Sequence, residues 1–248
     1  MKSIINNWSN LFIKNSVKRK YFLISLSLIL FHLILIIFWP FTSFLVQLPE
    51  LSSYTLKHTE FSPVEIMQAL LYFIAFITSL KNFLIKKSEK KTFFVILITT
   101  FLLFAEETSW MQHYTNYSLP LIQNINVQNE VNIHNLYFLQ FGSLRDGNFT
   151  LNLLLKSQNL FRILFCFYFF FLPLISLNRG FKIFFKKFKF LKPSKSFTIS
   201  LSITLLFNIV LTLLMGYPSV LSNPIAEYRE LIYATYICLY ILDLKSTY

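Results

Sequence analysis

Basic residues fill every second connection between the apolar segments of this chain, and that alternation limits its fold more than any motif does. Apolar segments run over about 21–39, 64–80, 92–110, 152–177, 197–216 and 226–243. Each is near the roughly 20 residues that a helix needs to cross a bilayer. Lys2, Lys14, Lys18, Arg19 and Lys20 precede the first segment. Lys81, Lys86, Lys87, Lys90 and Lys91 lie between the second and third, seven Lys and Arg lie over 179–195, and Lys245 follows the last. Short loops rich in Lys and Arg stay in the cytoplasm. The pattern predicts an all-α, polytopic bundle of about six spans, a single integral membrane domain over 1–248 with both termini cytoplasmic. Of the 11 acidic residues, only Glu89 and Asp243 then fall on the inner side.

Composition excludes the competing class. Apolar residues make up 55% of the chain and charged residues 14%, against about a quarter charged in a soluble domain. The net charge of +12 would suit nucleic acid were it on one soluble face. Here it lies in short loops between apolar segments, where it sets topology and meets anionic headgroups, so membrane lipids and not nucleic acid are the expected partners. Cys166 and Cys238 each sit inside an apolar segment and read as small core residues. The first apolar run has a basic leader, no small-residue cleavage site and more length than a signal peptide uses, so it is expected to remain as a span. The Phe- and Lys-rich stretch 181–192 reads as interfacial and amphipathic. Heavy use of Lys, Asn, Ile and Phe points to a low-GC bacterium, hence to a bacterial cytoplasmic (inner) membrane.

The acids of the outer side are not equivalent. Glu65 follows Ser62-Pro63-Val64 at the third helical position of a capping box with Ser62 as N-cap, and Glu227 and Glu230 follow Asn223-Pro224. Carboxylates near helix N-termini are favoured by the macrodipole, so helix capping explains Glu65 and Glu227. Glu106 and Glu107 lie toward the C-terminal end of the third segment, where the dipole disfavours them. They come about 21–23 Å of helix after Thr92, short of the roughly 30 Å hydrocarbon core. Trp110, Tyr114 and Tyr117 follow as an expected aromatic belt. Carboxylates beneath that belt need a partner, a proton or a cation. Arg145, Arg162 and Arg229 are the outer-side guanidiniums, and an ion-pair network that fixes helix register is the structural alternative to a site.

The hydrophilic segment 111–150 contains no Lys and is rich in Asn and Gln; it is expected to be a structured outer loop. Gln128, Glu130, Asn132 and His134 share one face if it is extended, and Glu130 and His134 share a face if it is helical. Glu106, Trp110 and His113 would share a face of the third helix. Such a Glu/His cluster suits a divalent cation held by Glu107, Glu130 and His134, or acid–base catalysis. His32, alone in an apolar helix, reads as a packed residue, and His58 as a solvated one.

The motifs Glu106-Glu107-Thr108-Ser109-Trp110-Met111-Gln112 and Asn126-x-Gln128-x-Glu130-x-Asn132-x-His134-Asn135 resemble a family of uncharacterised bacterial multi-span membrane proteins. Its pattern is Glu-Glu-x-Ser-Trp-Gly-Gln, then Asn-x-Gln-x-Glu-x-Asn-Leu-His-Asn. Met111 replaces the usual Gly and Ile133 the usual Leu, which leaves the polar positions in place. The resemblance covers about thirty residues and implies a site without implying a reaction.

The expected function is a membrane-embedded hydrolase or transferase acting on a lipid or lipid-linked substrate. Glu106, Glu107, Glu130 and His134 would be its catalytic groups, with Arg162, Arg229, Gln112, Asn132 and Trp110 binding substrate. A scaffold whose outer loop docks a protein partner is the alternative. A proton- or cation-coupled carrier is the third reading, disfavoured because few ionisable residues occupy the inner half.

Overall fold

The computed structural model describes residues 16–38, 63–85, 90–115, 117, 119–126, 131–133, 136, 139, 156–187, 191–214 and 222–246. Among these every regular element is helical, apart from an isolated antiparallel bridge between Asn126 and Leu136. The long helices are α1 (Ser16–Ile37), α2 (Pro63–Ile85), α3 (Lys90–Glu107), α6 (Ser157–Ile175), α8 (Lys195–Leu214) and α9 (Ser222–Ser246). Short helices α4 (Gln112–Thr115) and α5 (Pro120–Gln123) lie in the connection after α3, and α7 (Arg179–Lys187) follows α6. Residues Phe167–Phe171 of α6 are wound as π-helix.

Among the described residues four helices are long and apolar enough to cross a membrane: Arg19–Ile37, Pro63–Ile85, Ser157–Ile175 and Lys195–Leu214. The other two apolar segments are helical too, but more charged. Lys90, Lys91, Glu106 and Glu107 stand at the ends of α3, and Glu227, Arg229, Glu230, Asp243 and Lys245 lie along α9. The third segment also stops at Glu107, three residues before its expected end at 110.

The long helices turn continuous apolar faces outward and bury several polar side chains. On α8 the buried face includes Ser200, Thr204 and Asn208, while Ile199, Ile203, Leu206, Leu213 and Leu214 are exposed. On α2 Gln68, Ala75, Ser79 and Asn82 are buried, and Met67, Leu70, Ile74, Ile77 and Leu84 face outward. Water would reject continuous apolar surfaces of this kind, whereas lipid accepts them. A membrane location follows from those surfaces.

The chain forms two compact units: Met1–Leu71 with Pro193–Tyr248, and Tyr72–Lys192. In the first, α8 packs on α1 and α9, and α9 is buried almost all round from Leu231 to Ile241. A polar seam joins the three helices. Ser25 Oγ lies 2.8 Å from Thr204 Oγ1, and Tyr236 Oη lies 2.7 Å from Ser200 Oγ and 3.0 Å from Thr204 Oγ1. Ser200 donates to the Tyr21 carbonyl at 2.8 Å and Thr204 to the Ser200 carbonyl at 3.0 Å. With those two protons committed, Ser25 donates to Thr204 and Tyr236 to Ser200. The network therefore ends on backbone carbonyls and acts as interhelical glue, each bond contributing about 0.5–2 kcal/mol. Tyr228 donates to the Leu28 carbonyl. His32 is buried with its ring centroid 4.1 Å from that of Tyr228, which agrees with a packed residue. At the end of α9, Asp243 accepts from Lys20 at 2.6 Å.

In the second unit, α2 and α3 are joined by a short link and aligned by a phenylalanine ladder. Phe73 meets Phe104 at 5.2 Å between centroids, Phe76 meets Phe101 at 5.5 Å, and Phe83 meets Phe94 at 5.8 Å. As one residue number rises the other falls equally, which is the register of an antiparallel pair. The rings meet tilted, as their quadrupoles favour. This ladder fixes where the end of α3, and with it Glu106 and Glu107, stands in the unit.

Candidate functional site: two motifs clamped together

Helix α3 ends in an unusual way. Ser109, Trp110 and Met111 all have positive φ, of 46°, 55° and 66°. A left-handed turn of three consecutive non-glycine residues costs on the order of 1–2 kcal/mol per residue. Such a turn persists only where its surroundings over-determine it. Several bonds do so here. Met111 N–H donates to the Thr108 carbonyl at 2.9 Å, and the Thr108 hydroxyl donates back to the Phe104 carbonyl at 2.9 Å. Tyr117 Oη donates to the Trp110 carbonyl at 2.8 Å. Partial burial raises the Tyr117 phenol above its ordinary pKa, so it remains a donor at neutral pH. Gln112 then restarts a right-handed helix at φ −53°, ψ −46°.

Glu106 is the centre of a clamp between the two motifs. Its Oε1 accepts from Trp110 Nε1 at 2.6 Å and its Oε2 from the Ile133 backbone N–H at 2.9 Å. Gln112 Oε1 accepts from the Val131 N–H at 2.7 Å. Asn132 Nδ2 donates to Ser109 Oγ at 3.3 Å. Asn126 Nδ2 in turn donates to the Asn132 carbonyl at 2.7 Å and to its Oδ1 at 2.9 Å. Thus Glu106, Ser109 and Gln112 of the first motif grip Val131, Asn132 and Ile133 of the second, and Trp110 orients Glu106. Hydrogen bonds to a carboxylate contribute roughly 1.5–3 kcal/mol and neutral ones about 1 kcal/mol, enough together to offset the strain of the turn.

Two local expectations change. Val131 and Ile133 are bends and Asn132 is irregular, so 131–133 are neither strand nor helix. Val131 and Asn132 are both buried while Ile133 is exposed, so sides do not alternate residue by residue. Asn132 turns inward because Ser109 and Asn126 bond it there. Glu106 and Trp110 do meet, but through the left-handed turn and not along one helix face. The His113 side chain lies outside the described residues.

The other candidates divide as follows. Glu107 is half-buried as the last residue of α3. Glu130 and His134 lie outside the described residues, and they flank the clamped residues 131–133 in the chain. Arg162, half-buried in α6, donates to Asn159 Oδ1 at 3.2 Å one turn earlier. Arg229 is half-buried in α9 and belongs, with Glu65 and Glu227, to the first unit; Glu106, Glu107 and Arg162 belong to the second. No group of three His, Cys, Asp or Glu among the described residues stands close enough to hold a metal ion. Glu130 and His134 fall outside that set.

Tyr117 and Asn126 were not expected as structural groups. Tyr117 reads as an interfacial aromatic, and nothing in its local sequence signals that its hydroxyl would cap a turn seven residues earlier. Met111 yields a direct test. Its side chain is 41% exposed, so little packing is lost on truncation, and glycine is at ease at φ 66°. Met111→Gly is expected to raise stability by about 1 kcal/mol, and Met111→Val to lower it by about as much, because a β-branched residue tolerates positive φ poorly. Thermal unfolding of the detergent-solubilised protein measures both; a glycine variant less stable than the valine variant contradicts the strained turn.

No family model, curated protein or solved structure matches the chain.

Proposed function

We propose that this chain is a six-span integral membrane protein of a bacterial cytoplasmic membrane whose clamped motif element forms an outward-facing site for a lipid or lipid-linked substrate. The observation that carries the reading is the left-handed turn at Ser109–Met111, held by a carboxylate clamp. Backbone strain of this kind concentrates at functional sites, where preorganisation is needed. In this reading Glu106 is a positioning residue, since both its oxygens serve the clamp. Catalysis falls to Glu107, Glu130 and His134, as acid and base or as ligands of a divalent cation. Glu130 and His134 are the chain neighbours of the pinned Val131 and Ile133. Arg162, in the same unit as Glu107, would bind an anionic headgroup.

Two measurements test it. An impermeant thiol reagent added to intact cells should label Gln123→Cys in a background lacking Cys166 and Cys238; reaction from the cytoplasmic side alone would reverse the topology. Lipid extracts of cells with and without the gene should differ by one accumulating species. A docking role is the second reading, favoured by exposed Leu119, Leu121, Ile125 and Ile133 on the same loop. Unchanged lipids in the deleted strain would leave that docking role standing and remove the enzyme.

A further inference from the structure

Helix α7 separates its residues by type. Phe181, Phe184 and Phe185 fall on one face of the helical period, and positions 179, 182 and 186, all basic, fall on the opposite one. Phe185 is buried against Phe181 and Phe184, while Phe181, Ile183 and Phe184 are each at least half exposed. The sequence from Ser176 to Lys195 contains no acid.

The flanking contacts say where this helix lies. Asn178 Oδ1 accepts from the Gly180 N–H at 2.9 Å, which turns the chain out of α6. After α7 the chain returns to the same end of α6. Tyr168 Oη donates to the Leu191 carbonyl at 2.7 Å, and Lys192 Nζ donates to Ser176 Oγ at 2.7 Å. Leu191 is buried. The chain that follows α7 is therefore tied to the second half of a helix long enough to cross a membrane. Phe181, Ile183 and Phe184 of α7 keep apolar surface exposed that water disfavours and an acyl boundary accepts.

We propose that α7 is a membrane-surface helix that selects anionic phospholipids, its Phe face in the acyl boundary and its basic face on the headgroup phosphates. The inference goes beyond the substrate site and shares with it only the membrane location. A basic residue near an anionic surface contributes about 1 kcal/mol, close to a fivefold gain in partitioning each. Salt weakens that gain, since screening shortens the reach of each charge.

The test uses the full chain, with Cys166 and Cys238 replaced by Ala, reconstituted into vesicles. A polarity-sensitive fluorophore on Phe184→Cys reports exposure to acrylamide, a neutral quencher that ignores surface potential. Quenching should fall about threefold or more when phosphatidylglycerol is added to phosphatidylcholine, and high salt should restore it. Lys182→Glu with Lys186→Glu should quench in both lipids as the parent does in phosphatidylcholine, whereas the corresponding Arg pair should stay protected. A label on Leu206→Cys, on the exposed face of α8, should be protected throughout and confirms insertion. Equal quenching at 184 in both lipids, with Leu206→Cys protected, overturns the lipid selectivity alone. Quenching of Leu206→Cys overturns the membrane reading itself.

Discussion

Replacing Glu106 with Ala is expected to release residues 131–133 from α3 and expose the connection between Met111 and Leu136 to protease. The carboxylate is the shared acceptor of Trp110 Nε1 at 2.6 Å and of the Ile133 N–H at 2.9 Å. Charge-assisted bonds of this kind contribute roughly 1.5–3 kcal/mol each, and partial solvent access returns some of it, so a local loss of about 3 kcal/mol is expected. The left-handed turn would then lose the Trp110 anchor and keep its bonds to Tyr117 and the Thr108 carbonyl. Amide exchange over 131–133 measures the effect and should accelerate about a hundredfold, the equivalent of that free energy. The α2–α3 phenylalanine ladder lies on the other side of the break and should keep its protection. Glu106→Gln is the graded control: its carbonyl oxygen can hold one donor, but its NH2 group opposes the other, so an intermediate rate is expected. Exchange at 131–133 that is unchanged in Glu106→Ala would dismiss the clamp.

The second large effect is functional and leaves the fold in place. Glu107→Gln and His134→Ala are each expected to accumulate at the parent level and to leave the lipid change expected on deletion uncorrected. A positioned acid or base contributes typically 10²–10⁴-fold to rate, so turnover should fall at least about a hundredfold. Glu107 ends α3, where the helix dipole disfavours a negative charge. Groups kept against local stability in this way are usually kept for function, and their removal is tolerated by the fold. Glu106→Ala, by contrast, should lower both protein level and turnover. His134→Ala with full turnover, together with degradation of Glu107→Gln, would make the outer acids register pins in a scaffold.

Much of the architecture was legible in the chain because hydropathy is a local property. A run such as Phe22–Ile37 must satisfy its backbone internally wherever it is buried in lipid, and a helix does so within the segment. Pro63 and Glu65 marked the start of α2 in the same local way. The polar motifs around Glu106 and Asn132 stood out as well, because polar residues beside apolar segments are conspicuous.

What the sequence could not specify is how those motifs meet. Local propensity predicts that α3 continues to Trp110, since nothing from Glu107 to Met111 is a glycine or proline. The left-handed turn wins because bonds from Tyr117 and Glu106 offset its cost, and those bonds exist only once the chain has folded. The same holds for the link from Glu106 to Ile133, for the phenylalanine ladder between α2 and α3, and for the hydroxyl seam from Ser25 to Tyr236. Each joins side chains distant in sequence whose local preferences are indifferent to the pairing. Segment identity was therefore decided by composition over about twenty residues, and the geometry of the site by a few tertiary hydrogen bonds that outweigh a backbone preference of comparable size.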